Sequence, residues 1–260
     1  MSPSLPPPAV APEVYDDHYY RHVAAGADAW RASEGAAPDP LYEGALRLAG
    51  LRAGETVVDV GCGRGELLAV ALGMGAQRAI GIEYASAAVA LARATCARTA
   101  ADVRQADARA LPVDDASADL VSMLDVVEHL APDELHAALN EARRILRPGG
   151  RLFVHTLPNA TIYRVTYRLQ RWSRPGRWRA WAAQPRNEHE LCMHVNEQTV
   201  RSLRGALRRA GFASPEVWLG QWVHTTFVPE ERAARLYHRL AAHRVTRPLG
   251  AGDIWARAPR

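Results

Sequence analysis

Apolar runs and helical patterns alternate through the middle of the chain. Short runs rich in Val, Ile, Leu and Ala predict strands at residues 56–60, 78–83, 101–106, 118–124 and 150–156. Between them, apolar residues at helical spacing predict helices at residues 65–74, 86–99 and 132–146. This alternation is typical of a Rossmann-like, doubly wound α/β sheet with mostly parallel strands and helices on both faces.

The alternation stops after the fifth predicted strand. Residues 159–195 lack this alternation of strands and helices. A helix is predicted again at residues 197–210, and Gly211 ends it. Further short apolar stretches predict that the sheet is completed by antiparallel C-terminal strands, giving about seven strands in all. These stretches are residues 215–219, 221–227 and 252–257.

The regions outside the sheet predict the domain organisation. The Pro-rich residues 1–12 predict a disordered tail. Residues 13–50 predict a helical cap on the N-terminal side. We therefore expect a single domain over residues 13–260, in which residues 159–195 form an insertion, or lid, on the substrate side.

Composition narrows the possible classes of partner. The chain has 260 residues, of which 48% are hydrophobic, and this is enough to bury the core of one domain. A net charge of +4 favours anionic partners. However, all the basic residues other than histidine are Arg, and Ala is abundant. We interpret the excess of Arg as coding bias rather than as a nucleic-acid surface.

Cysteine content and hydropathy indicate the compartment. Cys62, Cys96 and Cys192 lack C-x-x-C spacing, so neither a disulfide framework nor a zinc ribbon is expected. The N-terminus has no secretory signal, and no apolar run reaches the roughly 18 residues of a membrane span. We expect a cytoplasmic monomer or homodimer without a transmembrane segment.

Acidic residues follow several of the predicted parallel strands, at the edge where ligands bind in doubly wound sheets. Asp59 precedes a G-x-G-x-G loop at residues 61–65, and this acid would repel a pyrophosphate but suits an ammonium group. Glu83 can accept hydrogen bonds from both hydroxyls of a ribose, and Asp107 with Ala108 can contact an adenine edge. A ligand with a cation, a ribose and an adenine but no phosphate is S-adenosylmethionine.

The successive motifs resemble those of class I S-adenosylmethionine-dependent methyltransferases. They read VVDVGCGRGELL, GIEYA, QADARALP, ADLVSMLDVVEHL, EARRILRPGGRLFVHTLPN and LRRAGF, and the similarity covers residues 40–160 with a weaker segment at 196–212. The resemblance implies most of the residues that hold the cofactor. We add Asp59 for its charge and Tyr20 because it can close over the cofactor from the N-terminal helix. The set is Tyr20, Asp59, Gly61, Cys62, Gly63, Glu83, Tyr84, Asp107, Ala108, Leu124 and Asp125.

A possible catalytic group follows the fourth strand. We expect His129 to be a general base or to orient the substrate. Asp125, Glu128 and His129 fall on one turn, and His194, or alternatively His189, can join them in a divalent-metal site. This arrangement resembles metal-dependent small-RNA 3′-terminal 2′-O-methyltransferases and ubiquinone-pathway O-methyltransferases, although Asp125 stands where the first Glu is expected. A metal is not the favoured interpretation.

The insertion is expected to select the acceptor. Its aromatic residues alternate with Arg, which is typical of a lid over an apolar pocket, of an RNA or anionic membrane surface, or of a dimer contact. The lid interpretation favours a small-molecule acceptor over a nucleic acid. The predicted acceptor-pocket residues are His155, Asn159, Tyr163, Tyr167 and His194.

These observations predict one function and two alternatives. The first is S-adenosylmethionine-dependent methylation of a small molecule, most simply O-methylation of a secondary metabolite or a quinone-like compound. The second is metal-dependent 2′-O-methylation of the 3′-terminal ribose of RNA. The third is a catalytically inactive, cofactor-binding partner protein.

Overall fold

The structure of the protein is a computed structural model that describes residues 5–173, 182–183, 185–223 and 231–260. In these residues, seven strands form one sheet. They are β1 (Thr56–Val60), β2 (Arg78–Glu83), β3 (Asp102–Gln105), β4 (Ala118–Leu124), β5 (Leu146–Thr156), β6 (Glu216–Leu219) and β7 (Ile254–Pro259).

The strand order is β3-β2-β1-β4-β5-β7-β6. The first five strands are parallel, whereas β7 runs antiparallel to both β5 and β6. This topology confirms the predicted fold class. The predicted stretch 221–227 differs, because residues 221–223 form no strand and residues 224–227 lie outside the described part of the chain.

The described helices lie before, between and after these strands. The α-helices are α1 (Ala27–Ser33), α2 (Pro40–Ala49), α3 (Glu66–Gly73), α4 (Ser86–Thr95), α5 (Pro132–Ile145), α6 (Arg168–Trp172), α7 (Glu188–Met193), α8 (Val200–Arg209) and α9 (Glu231–Ala242). Helix α8 begins later than predicted because the Thr199 side chain accepts a hydrogen bond from the Ser202 backbone N–H and caps it.

The apolar core lies on both faces of the sheet. On one face, Val121 and Val154 of the central strands are buried together with Leu139 of α5 and Leu207 of α8. On the other face, Leu120, Phe153 and Trp255 form a cluster with residues of α2 and α3. Central strands buried on both faces explain why their sequences are nearly continuous apolar runs.

The N-terminal region differs from the predicted helix and tail. It forms a 3₁₀-helix at Pro12–Val14, a π-helix at Tyr19–Val23 and then α1. Residues 5–12 pack on the domain: Val10 is buried, and the Ala9 N–H donates to Glu134 Oε1 at 2.8 Å. The expected disordered tail is therefore corrected for residues 5–12, while residues 1–4 lie outside the described residues.

Helix α2 offers a matched test of the packing against the sheet. Leu46 is 1% exposed and Leu48 is 50% exposed. We expect Leu46→Ala to lower the free energy of unfolding by about 2–5 kcal/mol, because it leaves a cavity in the core. Leu48→Ala should change it by about 0.5 kcal/mol or less. Urea denaturation measures both, and equal losses would contradict the packing of this helix.

Candidate functional site

A cavity of about 450 Å³ lies at the carboxyl edge of the parallel strands. The segments that follow β1, β2, β3 and β4 line it, and the N-terminal segment borders it as well. The structure brings together every residue that the sequence predicts for the cofactor. These are Tyr20, Asp59, Gly61, Cys62, Gly63, Glu83, Tyr84, Asp107, Ala108, Leu124 and Asp125.

The glycines of the loop after β1 have different reasons for being glycine. Gly61 has a φ of 75°, and a Cβ there would lie 2.5 Å from Val126 Cγ2. A Cβ on Gly65 would lie 3.1 Å from Ala92 of α4. At Gly63, a Cβ would make only ordinary contact with the Tyr20 ring. Backbone conformation and close packing thus require glycine at residues 61 and 65 whether or not a ligand is bound.

Glu83 connects the ends of β1 and β2. Its Oε2 accepts a hydrogen bond from the Gly63 N–H at 3.1 Å, and its Oε1 accepts from the N–H groups of Tyr84 and Ala85 at 2.8 and 3.0 Å. Burial raises the pKa of this carboxyl although the three backbone donors oppose the shift. The carboxylate therefore fixes the glycine loop and remains a wall of the cavity.

Asp59 is a second buried carboxyl group beside the loop. The Ser122 hydroxyl donates to its Oδ1 at 2.7 Å. Burial, opposed by this hydrogen bond and reinforced by the charge of Glu83, raises the pKa of Asp59 to about 7. A nearby cation would favour its ionised form.

Asp107 has a partner that the sequence analysis missed. Arg109 donates from Nε to Oδ1 at 3.0 Å and from Nη2 to Oδ2 at 2.8 Å. Burial alone would raise the pKa of Asp107, but these hydrogen bonds outweigh it and lower the pKa. Arg109 also pairs with Glu134 at 3.2 Å. The spacing Asp-x-Arg was the available signal for this pair.

Arg64 joins the N-terminal segment to the glycine loop. Only 5% of this residue is exposed, and its guanidinium donates to the Tyr20 carbonyl at 2.9 Å and to the Ala25 carbonyl at 2.7 Å. Its Nε donates to Glu66 Oε2 at 3.0 Å. The Tyr84 hydroxyl adds a hydrogen bond to the Val10 carbonyl at 2.8 Å. These contacts place the N-terminal segment over one side of the cavity.

His129 lies in the wall of the cavity beside Tyr15, Glu128 and His194. Its Nδ1 is hydrogen bonded with the Tyr15 hydroxyl at 2.9 Å, and the centroids of the His129 and His194 rings are 4.9 Å apart. Burial, reinforced by the charge of His194, lowers the pKa of His129 to about 3. The imidazole is therefore neutral at pH 7.

The predicted metal site is assembled only in part. Glu128, His129 and His194 each offer a ligand atom, and these atoms lie within 4.8 Å of one another. Within the described residues Asp125 is not in this group, and its Oδ1 lies 2.6 Å from His155 Nδ1. The Nδ1 atom of His129 is also occupied by Tyr15. Three of the four predicted ligands are therefore brought together among the described residues, and the four-ligand site is not assembled.

The predicted acceptor pocket needs correction. Among the described residues, His194 lines the cavity, but His155, Asn159, Tyr163 and Tyr167 do not. Asn159 donates to the Ala251 carbonyl, and Tyr163 and Tyr167 pack in a separate cluster with Ile162 and Tyr237. The residues that line this side instead are Leu157, Asn187, His189, Glu190, Met193 and Trp222.

Part of the predicted lid lies outside the described residues. Arg174, Arg177, Trp178, Arg179 and Trp181 lie outside the described residues. In the segment around them, α6 and α7 are short helices, and α7 contributes Met193 to the cavity wall.

Comparison with known proteins identifies the domain. Residues 58–154 match the family described as a methyltransferase domain. A probable S-adenosylmethionine-dependent methyltransferase of Mycolicibacterium smegmatis is 36% identical over 169 residues, which are 64% of this chain and 55% of that protein. The chain contains a class I S-adenosylmethionine-dependent methyltransferase domain. The resemblance inferred from the motifs is thus confirmed, and the cofactor of this family is S-adenosylmethionine.

Two further similarities bear on the methyltransferase domain. A ubiquinone biosynthesis O-methyltransferase of Pseudomonas paraeruginosa is 31% identical over 149 residues, which are 50% of this chain and 63% of that protein. The chain thus spans between half and two thirds of the length of these relatives. A methyltransferase structure from Archaeoglobus fulgidus has a TM-score of 0.57 at 18% identity, covers 88% of this chain and 98% of its own, and shows the shared fold.

No helix among the described residues is long and apolar enough to cross a membrane.

Arg64 provides a test of the contact between the N-terminal segment and the glycine loop. We expect Arg64→Gln to raise amide hydrogen exchange at residues 15–26 by about tenfold or more, because breaking a buried ion pair typically costs about 3–5 kcal/mol. Exchange at residues 118–124 of β4 should change far less. Mass spectrometry of peptides from both regions measures the difference.

The matched control is Arg21→Gln. Arg21 pairs with Asp17 on the surface, where both side chains are exposed, and such pairs contribute little. Unchanged exchange at residues 15–26 in Arg64→Gln would show that Arg64 does not hold this segment.

Proposed function

We propose that the protein transfers a methyl group from S-adenosylmethionine to an oxygen atom of a small-molecule acceptor. The observation that carries the proposal is the convergence of Asp59, Glu83 and Asp107 on one cavity beside the glycine loop. These carboxyl groups lie at the carboxyl ends of the neighbouring strands β1, β2 and β3. A cation, a ribose and an adenine of one ligand can contact them in this order.

We assign each part of the cofactor to this chain's own residues. Asp59 pairs with the ammonium group of the methionine part, and ion pairing favours the ionised form of this carboxyl. Glu83 accepts from a ribose hydroxyl with the lone-pair site on Oε2 that its three backbone donors leave open. Tyr84 and Ala108 contact the adenine, and Asp107 accepts from its amino group. Tyr20 covers Gly63, and Leu124 and Asp125 border the cofactor from β4.

The chemistry is an in-line displacement at the methyl carbon. A lone pair of the acceptor oxygen forms the new C–O bond while the C–S bond breaks and its electrons stay on sulfur. The leaving thioether is neutral, and the acceptor loses its hydroxyl proton. The protein contributes chiefly by aligning the two reactants. His129, neutral and in the cavity wall, orients the acceptor hydroxyl. Its lowered pKa makes it a weak base, so the proton passes to water.

Two observations support a small acceptor. The wall beyond β4 is lined by Leu157, Met193 and Trp222, which suits an apolar or aromatic molecule. One relative is a ubiquinone biosynthesis O-methyltransferase, and a quinone-like acceptor has this character. We propose that residues 13–260 act as one domain, with residues 13–50 as a cap and residues 159–195 as a lid on the substrate side.

One observation favours a second candidate. The grouping of Glu128, His129 and His194 offers three possible ligand atoms at the end of the cavity, and metal-dependent methylation of an RNA 3′-terminal ribose would use such a group. A cofactor-binding partner without activity would keep Asp59 and Glu83 but turn over no acceptor.

The test is transfer of labelled methyl from S-adenosylmethionine to a panel of phenols, quinols and short RNAs. It is run with Mg²⁺, with Mn²⁺ and with EDTA. Transfer to a small molecule that survives EDTA supports the proposal. Metal-dependent transfer to RNA ends would replace it with the second candidate. Cofactor binding without transfer to any acceptor would support the partner-protein alternative.

The elevated pKa of Asp59 generates a pH prediction. Since this pKa is about 7, the carboxyl is mostly protonated at pH 6 and mostly ionised at pH 7.5. We expect the affinity for S-adenosylmethionine to rise about fivefold or more over this interval, as the ionised fraction grows. Calorimetric titration at each pH measures it.

Two variants control this titration. Asp59→Asn should bind more weakly at pH 7.5 and lose the pH dependence. Asp115→Asn changes an exposed acid and should retain it. If Asp59→Asn keeps both the affinity and the pH dependence of the natural protein, the assignment of the ammonium group to Asp59 is wrong.

A further inference from the structure

A buried row of side chains lies behind the cavity wall and crosses three neighbouring strands. It consists of Asp125 at the end of β4, His155 of β5, Asp253 just before β7 and Trp255 of β7. His155 and Asp253 are both buried. Burying an imidazole between two carboxyl groups costs free energy unless each polar atom has a partner.

The Asp125 side chain has one buried oxygen and also lines the cavity. Its Oδ1 is fully buried and lies 2.6 Å from His155 Nδ1. The side chain is nevertheless 35% exposed, and Asp125 lines the cavity. Because Oδ1 is buried and the residue lines the cavity, we infer that Oδ2 is the oxygen that faces the cavity.

The backbone at Asp125 is also constrained. Its φ of 56° lies in the left-handed region, which is uncommon for a residue other than glycine. The Asp125 N–H donates to the His155 carbonyl at 3.0 Å. Both the main chain and the side chain of Asp125 are therefore fixed by the same residue of β5. Strained backbone of this kind concentrates at functional sites.

The far side of His155 is fixed as well. Its Nε2 lies 3.6 Å from Asp253 Oδ2, and its ring is 4.2 Å from the Trp255 ring, centroid to centroid. The Trp255 indole N–H donates to Asp253 Oδ2 at 2.7 Å, and the Trp222 backbone N–H donates to Asp253 Oδ1 at 3.1 Å. A Cβ on Gly220 would overlap the Asp253 carboxyl group, so a glycine makes room for it.

The position of Asp125 in the sheet separates it from most of the proposed cofactor residues. Asp59, Glu83 and Asp107 belong to the β3-β2-β1 half of the sheet edge, whereas β4, β5 and β7 form the other half. Trp222, whose backbone is tied to Asp253, lines the cavity on this second side. The row of side chains thus supports the part of the cavity that the cofactor leaves for the acceptor.

We propose that Asp125 orients the acceptor through Oδ2 and that His155, held by Asp253, is the positioning residue that directs this oxygen. The proposal rests on the proposed methyl transfer. A carboxylate oxygen held in one direction accepts a hydrogen bond from a hydroxyl or amino group. The acceptors selected are therefore those that carry such a donor beside the oxygen that is methylated, and an acceptor without that donor binds less well.

The first test compares Asp125→Asn, His155→Phe and His155→Asn with the natural protein. Asp125→Asn keeps its carbonyl toward His155 and turns an N–H donor toward the cavity. We expect it to raise the KM for catechol about 10- to 100-fold, as expected for a lost hydrogen bond to a charged group. The Kd for S-adenosylmethionine should rise far less than the KM, by about threefold at most, because Asp125 only borders the cofactor.

His155→Phe removes the contact with Asp125 while keeping a ring for Trp255. It should raise the KM for catechol by a similar factor. His155→Asn retains a donor near the position of Nδ1 and should recover most of the loss, which a merely space-filling role of His155 would not predict. His136→Asn changes an exposed histidine of α5 and is the control, with unchanged constants.

The second test changes the acceptor. The natural protein should favour catechol and 2-aminophenol over phenol in kcat/KM by about tenfold or more, and Asp125→Asn should lose this preference. Loss of the preference in the variant, with intact cofactor binding, supports the proposal because the donor on the acceptor and Oδ2 of Asp125 are then coupled.

Three results would overturn the inference. A Kd for S-adenosylmethionine that rises as much as the KM for catechol assigns Asp125 to the cofactor instead. If His155→Phe has the same KM for catechol as the natural protein, His155 does not position Asp125. An unchanged preference for catechol in Asp125→Asn removes the orienting role. If the natural protein binds the cofactor but methylates no acceptor, the proposed function fails and the inference fails with it. This outcome differs from the other three, in which the natural protein still methylates catechol.

Discussion

The hydrogen bonds to Glu83 hold the site together. This carboxylate accepts from Gly63 on the loop after β1 and from Tyr84 and Ala85 after β2. It thereby sets the position of the glycine loop relative to the neighbouring strand. Gly63 in turn lies under Tyr20, and Tyr20 is held by Arg64 from the same loop. The N-terminal segment, the loop and the strand edge thus depend on one buried acid.

The charges of the cavity agree with the chemistry of the cofactor. Burial raises the pKa of both Asp59 and Glu83, and the charge of Glu83 adds to the shift of Asp59. Such crowding of acids destabilises an empty site and is relieved when a cation binds. The arginines in the cavity wall, Arg64 and Arg109, already pair with Glu66 and Asp107. An ammonium and a sulfonium therefore suit this cavity better than a phosphate.

The sequence predicted the sheet well because its central strands are buried on both faces. The bounds of β1, β2 and β4 agree with the apolar runs. Asp59, Glu83 and Asp107 were placed at the carboxyl ends of β1, β2 and β3 from the order of the elements alone. Topology brings such residues together without any knowledge of side-chain contacts.

What the sequence could not predict depends on contacts between distant residues. The Pro-rich start suggests disorder, but Ala9 meets Glu134 across 125 positions of the chain. His155 was expected in the acceptor pocket because it follows the fifth strand's apolar run. Its ring instead lies between Asp125 and Asp253, and only the pairing of β5 with both β4 and β7 shows this.

The central claim is that the cavity at the carboxyl edge of the sheet holds S-adenosylmethionine in the orientation set by Glu83. A crystal structure with bound S-adenosylhomocysteine tests it most directly. We expect the ribose to lie at hydrogen-bond distance, about 3 Å, from the Glu83 carboxylate. The amino group should lie near Asp59 and the adenine beside Asp107. A ligand bound elsewhere, or one whose adenine lies on the β4 and β5 side, would contradict it.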